Sequence, residues 1–181
     1  MKQFKLYVLA TTIVMGLFSC KENSVPIEVT TDHFHTVIDK VVEVMIHDIF
    51  SPPVASRVFA YPNIAAYEIL AQNDTTYLSL KNQIKHLGAI PSPKESKRIN
   101  YPLAALIAHI HLSKQLIFSE VKIETHRDSL YNVWEAKNPK EFKESKAYGL
   151  EVAAYISDWM NKDNYAQTRT MPKFSVDSED E

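Results

Sequence analysis

The chain has 181 residues, with 20 basic and 22 acidic side chains and a formal net charge of −2 when histidine is neutral. This balance excludes the strongly basic surface that nucleic-acid-binding proteins use, so no nucleic-acid partner is expected. A single cysteine excludes an internal disulfide framework. About 160 residues follow the N-terminal segment, which is enough for one domain with a hydrophobic core.

The first 19 residues predict a targeting segment, and Cys20 is the predicted site of lipidation. The apolar run from Leu6 to Phe18 follows two lysines and has only 13 residues, which is too short to span a bilayer. It ends in Leu17-Phe18-Ser19-Cys20, which resembles a bacterial lipobox. Acyl chains on Cys20 would anchor the protein to a membrane.

A lipid anchor at Cys20 places the protein in the bacterial cell envelope, on the periplasmic or the surface side of the outer membrane. Residues 20–30 would then form a polar tether between the membrane and the folded domain. The alternatives are an uncleaved membrane anchor and an ordinary secretory peptide.

Residues 31–161 predict an all-α fold, a helical bundle. Apolar residues recur there with a helical period, strand-like alternation is scarce, and the whole chain has only three glycines. From residue 162 the helical pattern stops. Residues 162–181 are therefore expected to form an extended tail that is mostly polar or acidic.

Two helices are expected on either side of a proline-containing hinge. The first, capped by Thr30 or Thr31, ends before Ser51. Ser51 caps a second helix that has Pro52 at its first position, where the missing N–H has no cost. This second helix is apolar nearly all round, so it belongs in the centre of the bundle. Pro62 should kink it.

A short surface helix is expected from Tyr77 to Leu87, followed by a loop over residues 88–100. The third main helix begins near Asn100. Its segment from Leu103 to Leu112 is almost wholly apolar but too short for a membrane span. It therefore predicts a second central helix.

The fourth and fifth main helices begin at Ser119 and at Asn138. Glu141 stands where a capping box would place it. In the fifth helix, Ser145 and Gly149 lie on the same face as several large apolar residues. Such small residues predict a close crossing with another helix.

Histidine pairs in the chain do not have the spacing of a helical metal site. His109 and His111 point about 200° apart on a helix, whereas two ligands on one face need a spacing of three or four. They are interpreted as residues at the edges of a core face. Lys162 and Arg169 could both address an oxyanion, and the alternative for this pair is a chance spacing or a surface contact.

One polar stripe crosses the apolar second helix. Arg57, Tyr61 and Glu68 share a face if the kink at the proline is modest. A buried guanidinium needs a partner, and Glu68 or Asp48 could serve. The favoured interpretation is a structural polar tie between core helices, and the alternative is a contact to an anion or a substrate.

Three blocks of the sequence carry a family resemblance. They are His47 to Arg57 with its continuation to Glu68, Tyr148 to Leu150 with Trp159-Met160, and residues 161–165 with 168–172. Together they resemble the N-terminal helical part of the vanadium-dependent haloperoxidases and type 2 phosphatidic acid phosphatases, in lipoprotein members from Bacteroidetes-type bacteria. The resemblance implies an all-α bundle.

The resemblance also implies a shared anion site that holds vanadate or a substrate phosphate. Family members build it from a Lys-x6-Arg-Pro motif, a Pro-Ser-Gly-His motif, and a later arginine and histidine. This sequence has no Ser-Gly-His, Arg169 is followed by Thr170, and no arginine or histidine follows. No catalytic, cofactor-binding or metal-binding residue is carried over. Vanadate or phosphate is implied for the complete family protein only.

Two functions are consistent with these observations. The first is the helical scaffold of a haloperoxidase- or phosphatase-like envelope lipoprotein, which is inactive alone and has the C-terminal half of the same protein as its partner. The second is a small helical envelope lipoprotein that binds or supports other molecules without catalysis. Whether the chain is itself an enzyme stays open between them.

Overall fold

The structure is a computed structural model that describes residues 25–94, 98–170 and 172, without the side chains of residues 168 and 169. The predicted targeting segment, Cys20 and half of the predicted tail lie outside the described residues. Six α-helices and no strand occur in this part of the chain, which confirms the predicted all-α bundle. The helices are α1 (Thr31–His47), α2 (Pro52–Asn73), α3 (Tyr101–Leu116), α4 (Glu120–Lys137), α5 (Pro139–Lys162) and α6 (Tyr165–Thr170). None of the described helices is both long and apolar enough to cross a membrane.

Capping residues set where several helices begin. Ser51 occupies the N-cap position of α2 and is followed by a proline, as predicted. At the start of α3, the Asn100 side chain accepts the Leu103 N–H at 3.0 Å. At the start of α5, the Asn138 side chain accepts the Glu141 N–H at 3.1 Å. Each bond satisfies one of the N–H groups that a helix leaves unpaired at its N-terminus.

Helix α3 forms the centre of the bundle. Its side chains from Leu103 to Leu112 are buried, except that His111 is partly exposed. The helix packs most extensively against α2 and α5, and α4 covers a further side. A helix that is apolar all round needs such neighbours to exclude water. The predicted central position of this helix is confirmed.

Both ends of the helical domain differ from the prediction, first at the N-terminal side. Ile27, expected in a polar tether, is buried. Its N–H donates to a carboxylate oxygen of Glu141 at 2.7 Å, and its carbonyl accepts from the Asn100 side chain at 2.7 Å. The Glu141 side chain therefore holds the N-terminal segment instead of closing the predicted capping box.

At the C-terminal side, residues 165–170 form α6 and not the expected extended tail. Asn164 has a φ of 57° and turns the chain between α5 and α6. The ring of Tyr165 is buried and packs edge-on against Tyr61, with 5.6 Å between the ring centroids. This contact joins residues that are far apart in the sequence, so no local sequence pattern predicts it.

The expected surface helix over residues 77–87 is also wrong, because this segment is a series of turns. Asn82 and His86 have φ values of 61° and 62°, which interrupt a right-handed helix. The buried carboxylate of Glu68 accepts the Leu80 N–H at 2.6 Å. A tertiary hydrogen bond and two left-handed residues thus override the local helical pattern.

The link between α1 and α2 is a Schellman turn. The Phe50 N–H donates to the Met45 carbonyl, and the Ile49 N–H donates to the Ile46 carbonyl, both at 3.3 Å. Ile49 takes the position that favours glycine, with a φ of 53°. A left-handed conformation costs a residue with a side chain roughly 1–2 kcal/mol. The Ile49 side chain is 88% exposed, so contacts within the chain offset little of this strain.

Gly149 allows α5 to approach α3 closely, as predicted from its small side chain. A Cβ atom at Gly149 would lie 2.5 Å from the carbonyl oxygen of Ala104. One turn earlier, the Ser145 hydroxyl accepts the Asn100 N–H at 2.9 Å. The backbones of the two helices therefore touch at this crossing.

We expect Gly149→Ala to destabilise the fold by about 1–3 kcal/mol, because the added methyl group forces the helices apart. At an open helical site the same change stabilises by about 1 kcal/mol, so the sign is diagnostic. Urea denaturation followed by circular dichroism measures the effect. The control is Ala154→Ser at an exposed position of α5, where little change is expected. Stabilisation by Gly149→Ala would contradict the close crossing.

Candidate functional site

The predicted polar stripe divides into two separate arrangements. Arg57 and Tyr61 meet at Asp163, the residue that follows α5. The Tyr61 hydroxyl donates to a carboxylate oxygen of Asp163 at 2.7 Å, and the Arg57 Nε lies 3.8 Å from the same oxygen. Together they tie α2 to the end of α5.

Aromatic rings surround the buried end of this tie. The ring of Tyr61 packs edge-on against Trp159 at 5.5 Å between centroids, and against Tyr165 on another side. Burial, with the hydrogen bond to Asp163 as a further cause, raises the pKa of the Tyr61 hydroxyl above its usual range. The phenol therefore stays protonated and acts as a hydrogen-bond donor.

Glu68, the third member of the predicted stripe, serves another segment. Its side chain is 1% exposed. One carboxylate oxygen accepts the Ser79 hydroxyl at 2.7 Å, and the other accepts the Leu80 N–H. A buried carboxylate needs such donors. Glu68 thus holds the turns after α2, while Asp163 is the carboxylate that meets Arg57.

Asp48, also considered as a partner of Arg57, joins the hinge to the start of α4. One of its oxygens accepts the N–H groups of Phe118 and Ser119 at 2.9 and 3.0 Å. The other accepts the Ser119 hydroxyl at 2.5 Å and lies 3.1 Å from the His47 Nδ1. Burial raises the pKa of Asp48, but the bonds from Ser119, His47 and Phe118 outweigh it and hold the pKa well below its usual range.

Ser119, His47 and Asp48 contain the residue types of a nucleophilic triad, but not its geometry. In a triad the histidine stands between serine and carboxylate and uses a different ring nitrogen for each. Here the Ser119 hydroxyl donates directly to Asp48. The same ring nitrogen of His47 lies 3.3 Å from the Ser119 hydroxyl and 3.1 Å from the carboxylate. This arrangement is a structural clamp, because it cannot relay a proton.

His109 and His111 have separate surroundings. His109 is buried, and its Nδ1 lies 3.4 Å from the Ser113 hydroxyl. Burial lowers the pKa of His109 to about 4, so the ring is neutral near pH 7. The Nε2 of His111 lies 3.1 Å from the Gln115 amide nitrogen. Within the described residues, no group of three or more His, Cys, Asp or Glu side chains is placed to hold a metal ion.

A surface groove of about 350 Å³ carries three lysines. It is lined by Lys94, Lys140 and Lys143, but Glu144 and Glu151 line it as well. An oxyanion such as vanadate needs converging positive charge and hydrogen-bond donors. The two carboxylates oppose an anion, so this groove does not fit vanadate. The pairing of Lys162 with Arg169 stays a prediction, because the Arg169 side chain lies outside the described part.

The roles of Asp163 and Ser119 in the tie and the clamp were not predicted from the sequence. Asp163 lies just after a helix end, and Ser119 was predicted only as the start of a helix. Their partners lie far away along the chain. The only available signal was the need of Arg57 and Asp48 for partners, and it does not specify which residues serve.

No protein-family model and no curated protein matches the chain. Among solved structures, it is similar to a protein described as the first bacterial vanadium-dependent iodoperoxidase. The sequence identity is 62%, the match covers 87% of this chain, and the TM-score is 0.83. The chain spans 38% of the length of that relative. This is consistent with the prediction that it corresponds to one part of a longer family protein.

We expect Asp48→Asn to destabilise the fold at pH 7 by about 1.5–3 kcal/mol, the range for hydrogen bonds to a charged group. The pKa of Asp48 is lower in the folded than in the unfolded chain. The contribution of the Asp48 charge to the free energy of unfolding is therefore complete above the pKa of the unfolded chain, about 3.9. It is lost as the pH falls below that value. The difference in the free energy of unfolding between the variant and the wild type should become smaller only below about pH 4.

Urea denaturation at several pH values measures this difference. Asp158→Asn, at an exposed position of α5, is the control and should change stability little. The lowered pKa of His109 weakens folding in acid equally in both proteins, so it cancels from the comparison. A constant difference from pH 7 to pH 2.5 would contradict the role of the Asp48 charge.

A double-mutant cycle tests the tie between α2 and α5. We expect Tyr61→Phe and Asp163→Ala to couple by about 0.5–1.5 kcal/mol, because each removes the same hydrogen bond. Tyr67→Phe is the matched control, since the Tyr67 hydroxyl of the same helix donates to the Leu78 carbonyl. Its coupling with Asp163→Ala should be close to zero. Equal coupling energies for both tyrosines would show that the coupling does not come from the hydrogen bond between Tyr61 and Asp163.

Proposed function

Because the chain belongs to the vanadium-dependent haloperoxidase superfamily, we propose that it is the helical scaffold that supports the oxyanion site of such an enzyme. The observation that carries the proposal is the 62% identity to a vanadium-dependent iodoperoxidase, of which the chain spans 38%. A match of this closeness over 87% of the chain favours a shared role for the shared helices.

The contacts of the polar residues support a scaffolding role. Asp48, Glu68 and Asp163 each accept hydrogen bonds from a segment distant in sequence. These carboxylates are engaged in holding helix ends and turns. The tie at Arg57 is likewise directed at Asp163. The described residues therefore contribute rigidity to a bundle, while the groups that would hold an anion belong to another part of the protein.

Vanadate is the anion implied for the complete protein, and it would supply the oxidative chemistry when bound there. The sequence lacks Ser-Gly-His and Arg-Pro, and the lysine groove of the described part does not fit an oxyanion. This chain alone is thus inactive. Vanadate and phosphate are both tetrahedral oxyanions, so a phosphatase of the type 2 phosphatidic acid class is the alternative parent. The iodoperoxidase likeness favours the haloperoxidase.

The protein is a lipoprotein of the bacterial cell envelope in this proposal. The apolar run of residues 6–18 and the motif Leu17-Phe18-Ser19-Cys20 support it. Cys20 carries the lipid anchor that joins the scaffold to a membrane. Incorporation of radiolabelled palmitate into the wild-type protein, but not into Cys20→Ser, is the expected observation for this anchor.

A second candidate is a small helical envelope lipoprotein without a catalytic partner. It is favoured by the continuous core of the described part, in which buried residues of all six helices belong to one cluster. Such a core can support an independent domain. The two candidates differ in whether this chain can replace its counterpart inside an active enzyme.

Replacing the matched part of the iodoperoxidase with residues 25–170 of this chain tests the scaffold function. We expect the chimera to oxidise iodide in the presence of vanadate and hydrogen peroxide within about tenfold of the parent, or ~1.4 kcal/mol in the barrier. The 181-residue chain alone should give no oxidation above the rate without protein.

The chimera without vanadate is the control and should be inactive. A folded chimera that lacks vanadate-dependent oxidation contradicts the proposal. A chimera that does not fold also counts against it, because a shared scaffold at 62% identity should be interchangeable. Iodide oxidation by the chain alone would contradict its proposed inactivity.

A further inference from the structure

An apolar surface surrounds the hinge between α1 and α2. A groove of about 420 Å³ there is lined only by apolar side chains, and Phe118 packs edge-on against its Phe50. We call this surface the hinge patch, and its residues are Val42, Met45, Ile46, Ile49, Phe50, Ala55, Phe59 and Phe118. Ile46, Ile49 and Phe118 are 73%, 88% and 65% exposed. Contiguous apolar surface of this kind marks interaction sites in soluble proteins.

Backbone strain coincides with the most exposed residue of the hinge patch. Ile49 takes the left-handed position of the Schellman turn, where glycine or asparagine is favoured. Both hydrogen bonds of the turn are made by backbone groups, so the turn does not need an isoleucine. Strained backbone residues cluster at functional sites, so this outlier motivates a functional hypothesis for the Ile49 side chain.

We propose that the hinge patch docks the helical remainder of a haloperoxidase-type bundle, the polypeptide without a counterpart in this chain, with Ile49 as the anchor. The inference rests on the proposed scaffold function. The chain spans only 38% of the iodoperoxidase, so more than half of that protein has no counterpart here and is available to cover surface that is exposed in this chain. The centre of a protein interface is typically apolar and fully buried once the partner is bound.

The position of the hinge patch suits this occupant. Asp48 precedes the patch residue Ile49 in the chain. Its carboxylate accepts the Phe118 N–H, which fixes Phe118 to the hinge. The patch is therefore built from α1, the hinge, α2 and the residue before the N-cap of α4, and Asp48 joins the hinge to that residue. Docking then requires little ordering of the surface, which reduces the entropy lost on association.

The first experiment compares Ile49→Asn in the isolated chain and in the iodoperoxidase chimera. In the isolated chain the substitution relieves strain, and the midpoint of thermal unfolding should rise by about 2–4 °C. In the chimera it should fall, because the anchor is lost from a buried interface. Val133→Asn is the matched control, at a valine of α4 that is 63% exposed. It lies about 21 Å along that helix from Ser119, and its effect should be equal in both proteins.

A second measurement uses Ile49→Cys in a Cys20→Ser background. Maleimide labelling of Cys at position 49, followed by peptide mass spectrometry, should be at least about tenfold slower in the chimera than in the isolated chain. Val133→Cys should react equally in both. The labelling rate does not depend on activity, so it remains informative if a variant loses stability.

The outcomes separate the docking surface from the scaffold function. An active chimera in which position 49 stays fully reactive leaves the scaffold function standing and overturns the docking surface. An inactive chimera in which position 49 is protected overturns the scaffold function and supports the docking surface. Stabilisation by Ile49→Asn in both proteins also overturns the docking surface. Analytical ultracentrifugation completes the test, because a dimer of the isolated chain that protects position 49 assigns the patch to a second copy.

Discussion

The burial of α3 on all its sides is the constraint on which the rest of the structure depends. A helix that is apolar all round must be enclosed, and α2, α5 and α4 enclose it. At Gly149 the missing side chain lets the backbone of α5 touch the carbonyl oxygen of Ala104. Because packed interiors hardly deform, this crossing fixes the relative positions of the helix ends, where the polar contacts are made.

Three carboxylates use those fixed positions. Asp48 holds the start of α4, Glu68 holds the turns after α2, and Asp163 receives Tyr61 and Arg57. A buried or half-buried carboxylate is stable only where donors satisfy it. Carboxylates are common catalytic groups, but these three bind and connect separate segments of the fold. Polar residues within an apolar stretch of sequence are therefore weak indicators of catalysis unless their partners are known.

Local sequence patterns were sufficient to predict the main helices. They were insufficient to predict which distant segments contact one another. Helical periodicity and the caps at Ser51, Asn100 and Asn138 predicted α2, α3 and α5. The small side chain of Gly149 predicted the close crossing. The burial of Ile27 near α5, the turns at residues 77–87 and α6 depend on contacts between distant segments. The tie was predicted as three residues of one helix, yet its acceptor, Asp163, comes from another element.

The turn at Ile49 differs from the capped N-termini of α3 and α5. At α3 and α5 the residue at the cap agrees with the backbone it occupies, as expected of a sequence whose local and global preferences coincide. At Ile49 the hydrogen bonds are those of a Schellman turn. Its branched side chain, however, disfavours the left-handed backbone conformation of that turn and is exposed to solvent. Asparagine would keep both bonds and remove the strain and the exposed apolar surface together. The isolated fold accounts for the turn and not for the isoleucine, and this mismatch is the observation behind the proposed docking at the hinge patch.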